Sequence, residues 1–412
     1  MNCIIYSQYS GGDRYGMVYG SYFLAREWVK AGGNVTIVSA SFSHTRHTQP
    51  NLGRGLVTIE IIDGIRHVWI KTFKHKANNL TVRLINIFIF SLMASFYGLF
   101  SRRRACSAVI CSSHHPFAIF ASLISSFRLR SKLIYEIRDL WPLSLIYIAG
   151  KSKKHPLYLV MRVCERFAIM KADTVVSVLD RVENYIKDIG LRTPVAYIPN
   201  GIAEDIGGES DLAPSILKKI VTDKAAGNKI IVYAGSFGYA NPLDEIVNAI
   251  SCVRDKPVFL YLVGSGVKQE NLERKIRSMG LEQKVFFFSE LNRAGVRQVL
   301  DNSDATYVGY MDSPLYQYGI SPTKLNDYLL ACKPVIFFAD FSLGEISQCP
   351  SILHCRSAGE VADQLEKIIS DPDDFLDVAR AGKNWALKER SYVQLAQKFS
   401  KLVEYEGYSY RS

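Results

Sequence analysis

The sequence predicts an α/β protein made of two tandem doubly wound, Rossmann-like domains with a cleft between them. Three observations carry that prediction. A chain of 412 residues is long for one α/β core and suits two domains of about 200 residues each. Short apolar strands alternate with amphipathic helices along most of the chain, the pattern of parallel sheets covered on both faces. The alternation breaks once, at Ile198-Pro-Asn-Gly-Ile202 and the polar stretch after it, and then restarts.

In the first half, strands are expected at 2–6, 34–39, 108–112, 132–136, 174–178 and 195–198. A hairpin is expected from 58–62 and 67–70 around Asp63-Gly64, a strong turn dipeptide. Helices are expected over 16–31, 84–100, 116–127, 156–171 and 180–189. The second half gives strands at 229–234, 258–263, 285–288, 305–310 and 334–338. Its helices are expected over 242–253, 269–279, 293–302 and 322–331, and two more over 375–388 and 391–406 close the chain. The domains expected are 1–203 and 204–390, with the segment 391–412 packing back on the first.

Composition places the chain among globular proteins: 48% of residues are hydrophobic and 22% charged. The net charge of +11 is uneven. Residues 1–203 hold 26 Lys+Arg against 11 Asp+Glu, and the remainder 24 against 28. A basic first half points to an anionic partner or membrane surface, or else to a solvated basic face. Nucleic acid is not expected, because the basic residues are dispersed and not interleaved with aromatics. The eight cysteines form no C-x-x-C pair and fall partly in apolar strands, which fits buried thiols in a reducing compartment. Cys349, His354 and Cys355 lack a fourth ligand and the usual zinc spacing, so no metal site is expected there. No secretory signal is expected, since the chain opens on a short strand without a basic leader. Segment 84–100 is uncharged and flanked by Arg83 and Arg102-Arg103-Arg104. Its length reaches the lower limit for a span, yet Asn86, Ser91, Ser95 and Gly98 and the strand that follows favour a buried or interface-lying helix.

Candidate chemistry lies in loops at strand ends. Gly11-Gly12-Asp13-Arg14-Tyr15-Gly16 joins the first strand to the first helix, where Gly12 lets the backbone approach a ligand. It is not G-x-G-x-x-G, and Ser39 stands where an acidic residue would hold a nicotinamide ribose. Gly235-Ser236-Phe237-Gly238 and Gly264-Ser265-Gly266, with Lys268 beyond, follow two strands of the second half, and Ser289 follows a third. In Gly319-Ile-Ser-Pro-Thr-Lys-Leu-Asn-Asp-Tyr328, Ser321 is the natural N-cap of a helix opening at Pro322. Its free amides, Thr323 and Lys324 would then point toward a diphosphate, and Asp327 toward ribose hydroxyls. The alternative is a capped structural helix. In the first half, Glu136-Ile-Arg-Asp139 ends a strand with two carboxylates and a guanidinium, and His114-His115 ends another.

The ordered set of these pieces, with Pro199-Asn-Gly-Ile202, Tyr233-Ala-Gly-Ser236, Leu262-Val-Gly-Ser-Gly266 and Lys324-Leu-Asn-Asp-Tyr-Leu-Leu-Ala-Cys-Lys-Pro-Val-Ile336, resembles the large retaining GT-B glycosyltransferase family called family 4. Glu136-Ile-Arg-Asp-Leu-Trp-Pro142 and Ile320–Tyr328 resemble a bacterial O-antigen and capsule branch described as L-fucosamine transferases. The resemblance implies an acceptor-binding first domain and a second domain binding a UDP-sugar, with donor contacts at Gly12, Gly235, Ser236, Phe237, Gly264, Lys268, Ser289, Ser321, Thr323, Lys324 and Asp327. It implies metal-independent chemistry without a cofactor, in which Lys324 and helix amides neutralise the leaving diphosphate. Asp371-Pro-Asp373 is expected to be helix punctuation and not a metal motif. Asp139 is expected to contact the acceptor hydroxyl or act as base, with Arg138 and His114 beside it. The acceptor implied is a saccharide on undecaprenyl diphosphate at the inner surface of the cytoplasmic membrane, to which a cytoplasmic protein would bind peripherally. Two departures stand out. The family's paired glutamates become Gly319 and Asp327, and its arginine–lysine pair after strand 230–234 is missing. Rival expectations are a non-catalytic nucleotide-sugar-binding subunit and a UDP-sugar epimerase of the same fold.

Overall fold

A computed structural model describes all residues except 13, 17–18, 44–45, 47, 75–79, 102–104, 114, 205–209 and 405–412. The chain forms two compact units: Met1–Pro199 with the segment from Tyr392 onward, and Asn200–Ser391.

The first unit holds β1 (Cys3–Tyr6), β2 (Val35–Ala40), β3 (Val57–Ile62), β4 (Ile65–Ile70), β5 (Ala108–Ser113), β6 (Lys132–Ile137), β7 (Thr174–Ser177) and β8 (Val195–Tyr197). They lie in the order β3-β4-β2-β1-β5-β6-β7-β8. All pairs are parallel except the β3–β4 hairpin, whose Ile62↔Ile65 register leaves Asp63-Gly64 as a two-residue turn. Both turn residues have positive φ, 50° and 74°, which suits the right-handed twist of the strands. The inner strands are buried on both faces, as covered parallel strands must be, whereas edge strand β3 leaves Val57, Ile59 and Ile61 exposed.

The second unit holds β9 (Lys229–Ala234), β10 (Val258–Val263), β11 (Val285–Phe288), β12 (Ala305–Gly309), β13 (Val335–Phe338) and β14 (Ile352–Cys355). Their order is β11-β10-β9-β12-β13-β14, with every pair parallel. In each unit the strand order reverses beside the first strand, between β1 and β5 and between β9 and β12. The crevice beyond the carboxyl ends at such a switch point is where doubly wound sheets take ligands.

The first helix begins at Gly20 and not at 16, because Gly16 has φ 77° and cannot continue a helix. The expected helix from 116 opens as a 3-10 turn, Pro116–Ala118, before Ile119–Leu129. Six elements lie outside the sequence expectation: the helices Leu143–Tyr147, Pro214–Ala225 and Ala358–Ser370, the strand β14, and the 3-10 turns Pro314–Tyr318 and Gly344–Gln348.

The apolar segment is a helix, Leu80–Phe100, long and apolar enough to cross a membrane by composition. One face docks into the first unit. Phe90 and Ala94 are fully buried, and the Asn86 amide holds Phe73 through both its N–H and its carbonyl, at 2.9 and 2.7 Å. Gly98 backs so closely on helix Ile119–Leu129 that a Cβ there would lie 2.4 Å from Ser125 Oγ. The other face exposes Ile85, Phe88, Leu92, Phe96 and Leu99 at heptad-like spacing. Helix Tyr392–Glu404 packs on helix Gly20–Lys30. Trp28 Nε1 donates to the Ala396 carbonyl at 3.0 Å, and its ring meets Phe399 edge-on at 5.2 Å.

Candidate functional site

At the switch point of the second unit, helix Thr323–Leu330 brings Lys324 against the end of β9. Its Nζ donates to the Tyr233 hydroxyl at 2.8 Å and to Asn241 Oδ1 at 3.1 Å, and lies 4.3 Å from the centroid of the Tyr233 ring. Tyr233 and Asn241 both donate onward to the Ser236 carbonyl, at 2.7 and 3.1 Å. No carboxylate pairs with Lys324 among the described residues, and burial lowers its ammonium to about 7. A cation held by neutral acceptors alone is short of a counter-charge.

The glycines around it follow from close packing. A Cβ on Gly235 would lie 3.0 Å from Lys324 Nζ, and one on Gly264, where φ is 138°, 2.1 Å from the Gly235 carbonyl. Backbone bonds zip the two loops together, Phe237 N to Ser265 O at 2.8 Å and Lys268 N to Phe237 O at 3.0 Å. The Phe237 ring, expected at the donor, is fully buried against Tyr233 and Phe287 instead, because it fills the core beneath the loop. Lys268 is engaged by Asp244 at 2.9 Å, so its charge is already neutralised. Ser236, Ser289 and Thr323 are exposed.

Ser321 does not cap the helix. Pro322 occupies the N-cap position, and no side chain closes it. The Ser321 hydroxyl accepts from the Asn200 amide at 3.0 Å, and its carbonyl from the same amide at 2.9 Å. Asn326 returns the contact, donating to the Asn200 and Gly201 carbonyls at 2.9 and 3.0 Å. The Pro199-Asn-Gly segment is thereby stapled to the start of the helix, and Ser321 serves buried polar groups that need partners. Asp327, one turn in, is held by Arg293 through Nη2 at 2.9 Å and Nε at 3.3 Å. Gly319, with φ 107°, ends the 3-10 turn Pro314–Tyr318.

In the first unit, Arg138 and Asp139 follow β6. Arg138 pairs with Glu136 at 3.2 Å, and both side chains are largely buried. Its guanidinium fills the space beside Gly20, where a Cβ would lie 2.8 Å from Nη1. Asp139 is exposed. Gly12, with φ 75°, backs on the Tyr22 ring. His114 lies outside the described residues. Sequence reasoning missed Tyr233 and Asn241 as partners of Lys324, and Arg293 as partner of Asp327. Only the fold joins them, across 91, 83 and 34 positions.

Solved structures of similar fold cover nearly the whole chain. Sucrose-phosphate synthase from Thermosynechococcus elongatus matches with TM-score 0.70 and 14% identity, over 98% of both chains. HepE of Anabaena, in complex with UDP and glucose, matches at 0.66 and 15%, over 98% of this chain and 99% of that one. WaaG, a glycosyltransferase involved in lipopolysaccharide biosynthesis, matches at 0.63 and 13%, over 99% and 100%. The fold is that of the GT-B glycosyltransferases, two parallel-sheet Rossmann-like domains in one chain. The Glycosyl transferase 4-like domain family matches residues 16–201, and the Glycosyl transferases group 1 family matches 217–385. Together the two matches span most of the chain, which carries one glycosyltransferase domain of each family. A curated relative is WcaI of Escherichia coli (strain K12), assigned to colanic acid biosynthesis as a glycosyl transferase, 26% identical over 156 residues. That match spans 37% of the length of each protein.

Proposed function

We propose that the protein moves a sugar, with retained configuration, from a UDP-sugar to a lipid-linked saccharide during assembly of a surface polysaccharide such as O-antigen or capsule. The observation that carries this reading is Lys324, a half-buried ammonium at the second switch point that has no carboxylate partner among the described residues, beside the open first turn of helix Thr323–Leu330. That combination suits a diphosphate. HepE, of the same fold, is described in complex with UDP and glucose, and WaaG with lipopolysaccharide biosynthesis, which supports a nucleotide sugar and a surface-glycan context here.

In this reading the acceptor hydroxyl oxygen attacks the anomeric carbon as the carbon–oxygen bond to the β-phosphate breaks, and its electron pair leaves with UDP. The leaving phosphate takes the hydroxyl proton on the same face of the sugar, and Asp139 accepts a hydrogen bond that orients the acceptor. Lys324 and the free amides of the 323–330 helix neutralise the developing charge without a metal. Asp327, once Arg293 yields, takes the ribose hydroxyls. For the donor, an N-acetylated 6-deoxyhexosamine such as L-FucNAc fits the resemblance of the 136–142 and 320–328 segments. The exposed stripe of helix Leu80–Phe100 and the basic first half suit peripheral attachment to the anionic inner face of the cytoplasmic membrane.

Incubation with a panel of uridine-linked sugars and a lipid-linked acceptor tests the proposal. Transfer from at least one sugar is expected. Lys324→Ala should weaken UDP binding by roughly 10–100-fold, the loss of one charge-assisted contact. A folded protein that transfers none of them would refute it.

A further inference from the structure

The described residues leave a second positive group without a counter-charge, at the other switch point. We infer that the crevice between β1 and β5 is an anion site for a phosphate-bearing acceptor, built from Arg83, Tyr9, Gln8 and His115; this rests on the transfer reading above.

Gln8 and Tyr9 follow β1, and His115 follows β5, so both loops leave the carboxyl ends of the strands where the strand order reverses. Arg83 comes from the first turn of helix Leu80–Phe100 and donates to the Tyr9 hydroxyl. No carboxylate pairs with Arg83 among the described residues. Its guanidinium is half-buried and keeps donors beyond the one spent on Tyr9, in the planar fork that matches a phosphate. His115 is 3% exposed, and its Nε2 is engaged by Gln8 Oε1. Its Nδ1 is buried without a hydrogen-bond partner among the described residues. With Nε2–H donating to Gln8, the neutral ring presents Nδ1 as an acceptor, which a sugar hydroxyl beside the phosphate would satisfy. The Ser7 and Ser10 hydroxyls, on the same loop as Gln8 and Tyr9, are also buried and have no partner among the described residues. Native interiors rarely leave several such groups orphaned in one loop, and a polar ligand accounts for them together.

Apolar contacts lead outward from this cluster. The His115 ring lies 5.9 Å from Phe117, and Phe117 lies 5.1 Å from Phe88, the second residue of the exposed stripe on helix Leu80–Phe100. A phosphate held by Arg83 therefore has a hydrocarbon-compatible surface beside it, and the site suits the phosphate of a lipid-linked saccharide. A soluble sugar phosphate shares the same head chemistry, and the test separates the two.

The experiment uses the full chain saturated with UDP, so that the donor site is filled, and titrates it with farnesyl diphosphate or with glucose 6-phosphate. Farnesyl diphosphate should bind, and Arg83→Gln should weaken it at least tenfold while leaving UDP affinity unchanged. Tyr9→Phe, a milder change should Arg83→Gln fail to fold, should weaken it about threefold. Arg83-dependent binding of glucose 6-phosphate with equal affinity would support the site and assign it to a soluble acceptor. Farnesyl diphosphate binding that is absent, or the same in wild type and both variants, with UDP binding intact, would overturn the inference. Failure of the wild type to bind UDP at all would count against the transfer reading and not against this site.

Discussion

Lys324 is the residue on which the donor site turns, and its environment sets a pH signature. An ordinary lysine titrates near 10.4, whereas burial beside neutral acceptors brings this one to about 7. Between those values the unfolded chain holds a proton that the folded protein has lost. Its contribution to stability therefore rises with pH from about 7 upward, and below 7 the folded state bears the full cost of a desolvated ammonium. A bound diphosphate reverses the preference, so UDP binding near pH 8 should take up close to one proton. Calorimetry in two buffers of different ionisation enthalpy measures that uptake, and Lys324→Met should abolish it. The sequence singled out this lysine because a helix start with Pro, Thr and Lys is a local signal. Its partners Tyr233 and Asn241 were not legible, since they meet it only when β9 and helix Thr323–Leu330 come together. The error over Ser321 has the same root. A serine before Pro322 looks like a cap until Asn200, 121 residues away, claims its hydroxyl.

Among the elements, the strands were read well because their runs are short, apolar and bounded by turn residues. The omissions had signals of their own. Pro214 opens a helix whose Ile216, Leu217 and Ile220 recur at helical spacing, and Ser357 is an N-cap residue whose hydroxyl accepts from the Glu360 N–H at 3.1 Å. Helix Tyr392–Glu404 was visible by its period and was expected to pack back on the first unit, but the face it meets there was not legible, because nothing local ties Trp28 to Phe399. That contact should matter. Trp28 is 2% exposed, and Trp28→Ala should destabilise the first unit by about 3–5 kcal/mol, read from denaturant unfolding. Gly98 tests another interface: with Ser125 where its Cβ would go, Gly98→Val should cost about 1–3 kcal/mol by overpacking.

For the whole molecule, charge asymmetry and the outward stripe of helix Leu80–Phe100 combine into one expectation. Phe96→Asp should reduce co-sedimentation with anionic vesicles several-fold while leaving UDP affinity as in the wild type, since Phe96 is half exposed and far in sequence from the donor loops. Two domains and a break near residue 200 were legible from composition and alternation alone. The side-chain contacts that close each unit were not, because they join positions from 34 residues apart, as for Arg293 and Asp327, to 368 apart, as for Trp28 and Ala396. The first unit owes one of its helices to residues made after the second unit is finished, and this has a consequence for synthesis. As the chain leaves the ribosome, residues 1–199 emerge first, yet Trp28 and Phe23 stay uncovered while 200–391 are translated. At ordinary elongation rates that interval is roughly 10–40 s. The domain begun first is thus completed last, and a newborn chain carries an open aromatic patch that chaperones can grip until its final helix arrives.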